Sequence, residues 1–245
     1  MCGITGIVHN FINIEEAKSK ISKMINIIGH RGPDDLCAVI GKKFCAATAR
    51  LAIERVKEGY QPIISENKRY ILSFNGEIFN YYELKTKYKQ FIDTTGCDTE
   101  LLAWGLDTFG LDFINEIDSM HGFAYYDIKK KEIILSRDHA GIKPVFYAEV
   151  KEGLIFGSEI KGMLDRVPNS RKVDEMALSC YSATGVNVTR HSFFNNIKKL
   201  MCGETVTYHI EQKKLEQVKR ILPIPNASQG VDLEEFRYMT NKTVK

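Results

Sequence analysis

The sequence predicts an α+β protein in which antiparallel sheets are covered by helices. Three observations lead there. Strand-like and helix-like stretches come in mixed order along the 245 residues instead of a regular βαβ alternation. Most strand-like stretches are separated by connections of hairpin length. The first helix carries a single apolar stripe, which needs a packed surface to lie against.

In order, Ile4–His9 is a short β-branched strand with Cys2 at its exposed start. Glu15–Ile28 is a helix, because Ala17, Ile21, Met24, Ile25 and Ile28 recur at helical spacing. Gly29 ends it, and a loop from His30 to Asp35 follows. Leu36–Ile40 and Lys43–Ala49 form a hairpin across Gly41-Lys42. Tyr70–Phe74 is a strand that ends in Asn75-Gly76-Glu77, since Asn-Gly tolerates the positive φ of a tight turn. Tyr81–Tyr88 is a short helix, and Asp98 caps a longer one bearing Leu101, Leu102, Leu106 and Phe109. Four strands follow, at Phe123–Asp127, Glu132–Ser136, Val145–Glu149 and Leu154–Phe156. Ser158–Leu164 and Val173–Tyr181 read as helices, and Thr205–Ile210 and Lys214–Lys219 as strands. A linker spans Pro223–Gly230, and Val231–Lys245 reads as the opening of a further helix.

Composition narrows the function. Hydrophobic content of 44% with 27% charged residues is that of a globular soluble chain. A net charge of +3 gives no ground for a nucleic-acid or membrane partner. The six cysteines fall at 2, 37, 45, 97, 180 and 202, without CxxC pairs, so neither a zinc site nor a disulfide framework is expected. No apolar run approaches the roughly 20 residues of a membrane helix, and no secretory signal opens the chain. A reducing, cytoplasmic setting fits, and a thiol nucleophile would survive there.

Such a nucleophile is available. Removal of Met1 would leave Cys2 with a free α-amine, which titrates near ~7.7–8.0 and can take a proton from the adjoining thiol. Base and nucleophile would then share one residue.

Eight stretches give this cysteine a context. They are Met1-Cys2-Gly3-Ile4-Thr5-Gly6-Ile7, His30-Arg31-Gly32-Pro33-Asp34, Arg50-Leu51-Ala52-Ile53 with Gln61-Pro62, and Phe74-Asn75-Gly76-Glu77-Ile78-Phe79-Asn80. Further on come Asp98-Thr99-Glu100, Met120-His121-Gly122-Phe123-Ala124, Arg137-Asp138-His139-Ala140-Gly141-Ile142-Lys143-Pro144 and Ser158-Glu159-Ile160-Lys161. In order and spacing the set resembles the class II glutamine amidotransferase domain of the glutamine-dependent asparagine synthetase family, over residues 2 to 208. The His-Arg-Gly-Pro-Asp form points to that branch.

The resemblance implies an Ntn-hydrolase fold, a four-layer αββα sandwich with two antiparallel sheets. It implies a glutaminase over 2–210, with 211–245 a linker and the start of an absent or truncated synthetase domain. Cys2 would be the nucleophile, and the Asn75 amide with the Gly76 N–H would hold the tetrahedral oxyanion. Arg50, Ile53, Glu77 and Asp98 would line the pocket for L-glutamine, Arg50 forking onto the α-carboxylate and Asp98 holding the α-ammonium. Arg31 and Asp34 would shape a loop beside it.

Two departures from the family pattern touch the pocket. Ala52 stands where the family carries Ser, and Arg55 where it carries Asp. Leu200-Met201-Cys202-Gly203 also lacks the Pro that the family places before that Gly. No Ser-Gly-Gly-x-Asp-Ser pyrophosphate loop occurs, so ATP and Mg²⁺ are expected only in a synthetase domain absent from this chain, and no metal site is expected here. A separate synthetase chain or domain is the partner expected, and a homo-oligomer stays open. The competing reading is a non-catalytic regulatory or binding module that kept the fold. It would follow if Met1 stayed on and blocked both base and nucleophile.

Overall fold

Every residue of strand β1 (Gly3–Val8) is buried, and successive side chains of a strand point to opposite faces. Ile4 and Val8 therefore enter one core and Ile7 another. A strand buried on both faces has to lie inside a stack of layers. The computed structural model shows that stack and describes residues 1–9, 11, 13–52, 59–65, 69–89, 96–220 and 232–244.

The first sheet holds β1 at its centre. Strand β3 (Phe44–Arg50) pairs with it on one side and carries β2 (Asp35–Ile40) at the edge. On the other side lie β9 (Gly153–Gly157), β8 (Phe146–Val150) and the short β10 (Lys198–Lys199). The second sheet runs β12 (Lys214–Arg220), β11 (Glu204–His209), β7 (Glu132–Arg137), β6 (Ser119–Asp127), β5 (Tyr70–Ile78) and β4 (Ile63–Ile64). All these pairings are antiparallel.

Three cores separate the layers. Between the sheets, Ile4, Phe44, Tyr147 and Phe156 meet Ile71, Ile133, Leu135, Val206 and Tyr208. Helix α1 (Ile14–Ile27) seals the outer face of the first sheet with Ala17, Ile21, Met24 and Ile25. Helices α2 (Tyr81–Lys87) and α3 (Asp98–Phe109) cover the second sheet, bringing Leu84, Leu101, Leu102 and Leu106 onto Tyr70, Leu72, Phe74, Phe123 and Tyr125. Each large side chain so buried contributes about 1.5–3 kcal/mol. The result is the αββα sandwich.

Local signals set the helix ends. Asn13 caps α1 by accepting from the Glu16 N–H at 2.8 Å. Asp174 caps α4 (Glu175–Thr184) through the Ala177 N–H at 3.0 Å, and Gly185 closes it at φ 76°. Helix α5 (Leu233–Val244) exposes Leu233, Phe236 and Met239. Among the described residues no helix is long and apolar enough to cross a membrane. The Pro223–Gly230 linker lies outside the described residues.

Three local expectations are corrected. Asn75-Gly76 is not a turn: β5 runs straight through it, Asn75 opposite Gly122 and Gly76 opposite His121. Nine consecutive cross-strand pairs override the turn preference of two residues. Ser158–Leu164 is not an α-helix but contains one 3₁₀ turn, Ile160–Gly162. Its start is pinned to β1, since Ser158 N–H donates to Ile4 O at 2.8 Å and Ile4 N–H to Ser158 Oγ at 3.0 Å. The N-cap position of α3 falls to Cys97, with Asp98 the first helical residue.

The inter-sheet core gives a stability test. A Cβ on Gly6 would run into the ring of Phe156, which is fully buried. Phe156→Ala should cost about 3–5 kcal/mol in urea unfolding. Gly6→Ala should also destabilise the wild type, and its cost should shrink in a Phe156→Leu background. Equal costs in both backgrounds would show that the clash does not govern that position.

Candidate active site

The cavity forms where one end of each sheet meets the other. Its volume is about 100 Å³, and its lining includes Cys2, Arg50, Asn75, Gly76, Asp98 and Lys143. Cys2 enters from the start of β1, one step beyond the Gly3–Ala49 pair, so it lies across from Arg50 at the end of β3. Its Sγ lies 3.8 Å from the Leu51 carbonyl oxygen.

The backbone of Cys2 is held from behind. Arg31 Nε donates to the Cys2 carbonyl at 3.0 Å, and Arg31 Nη1 reaches Glu159 at 3.1 Å. Glu159 also takes His30 at 2.9 Å and Lys161 at 3.2 Å. Burial works to raise the Glu159 carboxyl, yet Arg31, Lys161 and His30 together hold it below its ordinary value. The loop that carries Arg31 presses on β3: a Cβ at Gly32 would overlap the Ala49 carbonyl oxygen. Asp34 Oδ2 accepts from Ala52 N–H at 2.8 Å, and Asp34 N–H donates to Arg50 O at 3.2 Å. This is the physical content of His-Arg-Gly-Pro-Asp: one loop that positions both the cysteine and the segment around Arg50.

Arg50 is 4% exposed. Asp35 accepts from its Nη1 at 3.1 Å, and its guanidinium lies 5.8 Å from the centre of the Tyr60 ring. Asp35, at the edge of the first sheet, therefore orients the arginine, a role the sequence reading did not assign.

Strand β5 forms the opposite wall. Its even-numbered N–H groups face away from β6, and β4 pairs with it only at Ile71 and Leu72. Beyond that, side chains cap the edge. Gln61 Oε1 accepts from Phe74 N–H at 2.7 Å, and Asp98 Oδ2 accepts from Ile78 N–H at 3.2 Å. The period of two puts the Gly76 N–H between those capped groups, on the same edge. Asn75 is 1% exposed, and its Nδ2 has no hydrogen-bond partner. Two donors are thus presented beside a thiol. Asp98 also takes the Thr99 hydroxyl at 3.3 Å, and Glu77 lines the rim.

The structure therefore brings together Cys2, Arg50, Asn75, Gly76, Glu77 and Asp98. Ile53 and Arg55 lie outside the described residues. Gln61, Thr99, Met120, Cys97 and Lys143 join the lining. Sequence reasoning had quoted the motifs of Gln61, Thr99, Met120 and Lys143 without giving these side chains a place in the pocket, and Cys97 lies just before a quoted one. Burial pushes the Cys97 thiol up, so it is a poor nucleophile despite its position.

With this geometry in view, comparison with known proteins fixes the class. The αββα layering is the Ntn-hydrolase fold. It is shared with a solved Bacillus subtilis glutamine phosphoribosylpyrophosphate amidotransferase (TM-score 0.65, 16% identity, covering 91% of this chain and 50% of that one). The chain belongs to the glutamine amidotransferase domain family, which it matches over residues 1–219. It is 35% identical to "Asparagine synthetase [glutamine-hydrolyzing] 2" of Bacillus subtilis (strain 168), over 83% of this chain and 28% of that protein. It is 32% identical to a "Putative asparagine synthetase [glutamine-hydrolyzing] 2" of Methanocaldococcus jannaschii, over 89% of this chain and 46% of that protein. The chain thus spans less than half the length of these relatives.

Behind Gly76, His121 is buried in a hydroxyl network. Ser119 Oγ lies 2.8 Å from Nδ1 and Ser136 Oγ 3.2 Å from Nε2, with Thr205 Oγ1 a further 2.8 Å on. Burial pushes this imidazole down to about 4, against the pull of Asp138 and with a small push from His139. Unfolding frees it to titrate near 6.5. Between those values the unfolded state binds the extra proton, so stability falls as pH drops from about 6.5 to about 4. The loss should total roughly 3 kcal/mol. Urea unfolding of His121→Gln at pH 7 and pH 4.5 should show a flatter dependence than wild type. An unchanged slope would place the acid sensitivity elsewhere.

Proposed function

We propose that this chain is the glutaminase part of an asparagine-synthetase-like amidotransferase: it hydrolyses L-glutamine to L-glutamate and releases ammonia for transfer. What carries the reading is one cavity that unites a thiol, an unengaged buried amide beside the Gly76 N–H, a buried guanidinium and a carboxylate, in a chain of this family.

The substrate's features match the walls. Arg50, oriented by Asp35, takes the α-carboxylate, and Asp98 with Glu77 takes the α-ammonium. The Cys2 sulfur adds to the side-chain amide carbon, and the carbonyl π pair moves onto oxygen, where Asn75 Nδ2 and Gly76 N–H meet it. The C–N bond then breaks, ammonia leaves with the proton relayed by the Cys2 α-amine, and water cleaves the thioester. Met1 is 56% exposed at the cavity rim, open to the processing this step requires. Nothing in these steps calls on ATP or Mg²⁺. The acceptor, aspartate or another carboxylate, is activated in a synthetase domain or chain.

Intact mass and a glutamate-release assay test the reading together. Processed wild type should release glutamate without ATP, Mg²⁺ or aspartate and form no asparagine, and Cys2→Ala should be inactive and folded. A glutamine-like diazo-ketone should label Cys2 while sparing Cys97 and also Cys45, whose thiol burial pushes up to about 12. A chain that keeps Met1, releases no glutamate and still binds glutamine would be a binding module instead.

Arg50→Lys should raise KM on the order of tenfold with less effect on kcat, because an ammonium cannot reproduce a planar fork. A normal KM would remove Arg50 from the carboxylate site.

A further inference from the structure

Lys143 is 5% exposed, yet its side chain makes no hydrogen bond or ion pair among the described residues. A lysine so buried normally has an anion beside it, because an isolated charge is costly to desolvate. Its backbone is rigidly placed. Its N–H donates to Asp138 Oδ2 at 3.0 Å, and its carbonyl accepts from Arg137 Nε at 3.1 Å. Asp138 further takes the Ile142 N–H at 2.9 Å and the His121 N–H at 3.1 Å, tying the loop to β6.

The position of this cation is informative. A Cβ built on Gly122 would lie 3.5 Å from the Lys143 Cβ. Gly122 is the cross-strand partner of Asn75, and directly opposed residues of an antiparallel pair project to the same face. That face looks toward the first sheet, as Ile71 and Ala124 of the same strands do. Gly122 makes room for the Val145 and Lys143 side chains to pack beside Asn75, and Lys143 lines the cavity together with Cys2. Two side-chain donors without acceptors among the described residues, the Asn75 amide and the Lys143 ammonium, therefore border the cavity that holds the Cys2 thiol.

We propose that Lys143 is a catalytic residue of the glutaminase site: its ammonium stabilises the negative charge that forms at Cys2 and on the amide oxygen. The assignment rests on the hydrolase reading above. In the step it assists, the thiolate pair forms the S–C bond and the carbonyl π pair becomes the oxyanion. Lys143 keeps its proton throughout and supplies charge alone. It stands at the amide end of the pocket, by Asn75, whereas Asp98 and Glu77 lie by Ile78 and hold the ammonium end.

The test combines kinetics with thiol chemistry in the full chain. Lys143→Met should lower kcat about 10²-fold, the usual effect of losing one oxyanion donor, with KM within threefold. Lys143→Arg should recover part of the loss. Alkylation of Cys2 by iodoacetamide, followed by peptide mass, should show its pH midpoint move upward in Lys143→Met and Lys143→Gln. Thermal melting of both variants checks folding. A kcat within twofold of wild type and an unmoved alkylation midpoint would overturn the proposal, and so would a raised KM at preserved kcat, which would make Lys143 a carboxylate anchor. Wild type without glutamate release would count against the hydrolase reading itself. The alkylation midpoints would then decide Lys143 alone.

Discussion

The site depends on one edge of one strand being left open. Strand β4 is two residues long and stops pairing after Leu72, so the outward N–H groups of Phe74, Gly76 and Ile78 need other acceptors. A buried donor left unpaired costs about 1–3 kcal/mol, and the fold meets that cost at both ends with side chains, Gln61 and Asp98. The middle group remains. Had β4 continued, its carbonyls would have consumed all three, and the sheet would be better satisfied but chemically inert. Asp98 thereby joins two requirements: the carboxylate that completes the strand edge is also the anionic wall of the cavity.

The two buried cations of the cavity are held in opposite ways. Arg50 is neutralised from behind by Asp35 and covered by Tyr60, so its orientation is fixed before any ligand arrives. Lys143 is anchored only through its backbone, and its charge is left without a counter-ion among the described residues. In a setting of low dielectric an unneutralised charge acts strongly on whatever anion comes near.

Periodic and local features were legible in the sequence. The stripe from Ala17 to Ile28 marked α1 to within one residue at each end, the β-branched runs marked β1, β2 and β7 closely, and the Gly41-Lys42 hairpin placed β3. The stretches quoted for family resemblance converge on one cavity, because each supplies a wall or a support for one. What escaped was decided at a distance. Asn75-Gly76 carries a turn preference that lost to pairing with β6, which begins four residues earlier than its apolar pattern suggested. The two-residue strands β4 and β10 carry no pattern long enough to read. Lys143 lies within one quoted stretch and Asp35 directly follows another, but neither stretch shows which side chain or cavity these two residues meet.

Arg31 grips Cys2 by its main-chain carbonyl and leaves the side chain alone. Every residue type has that carbonyl, so the frame does not register which reagent it carries. Ser158, Arg31 and the loop at Gly32 would place a serine or an alanine at the same point in space. The scaffold is therefore a socket indifferent to the side chain it carries. A different side chain at position 2 would leave the shape of the pocket intact.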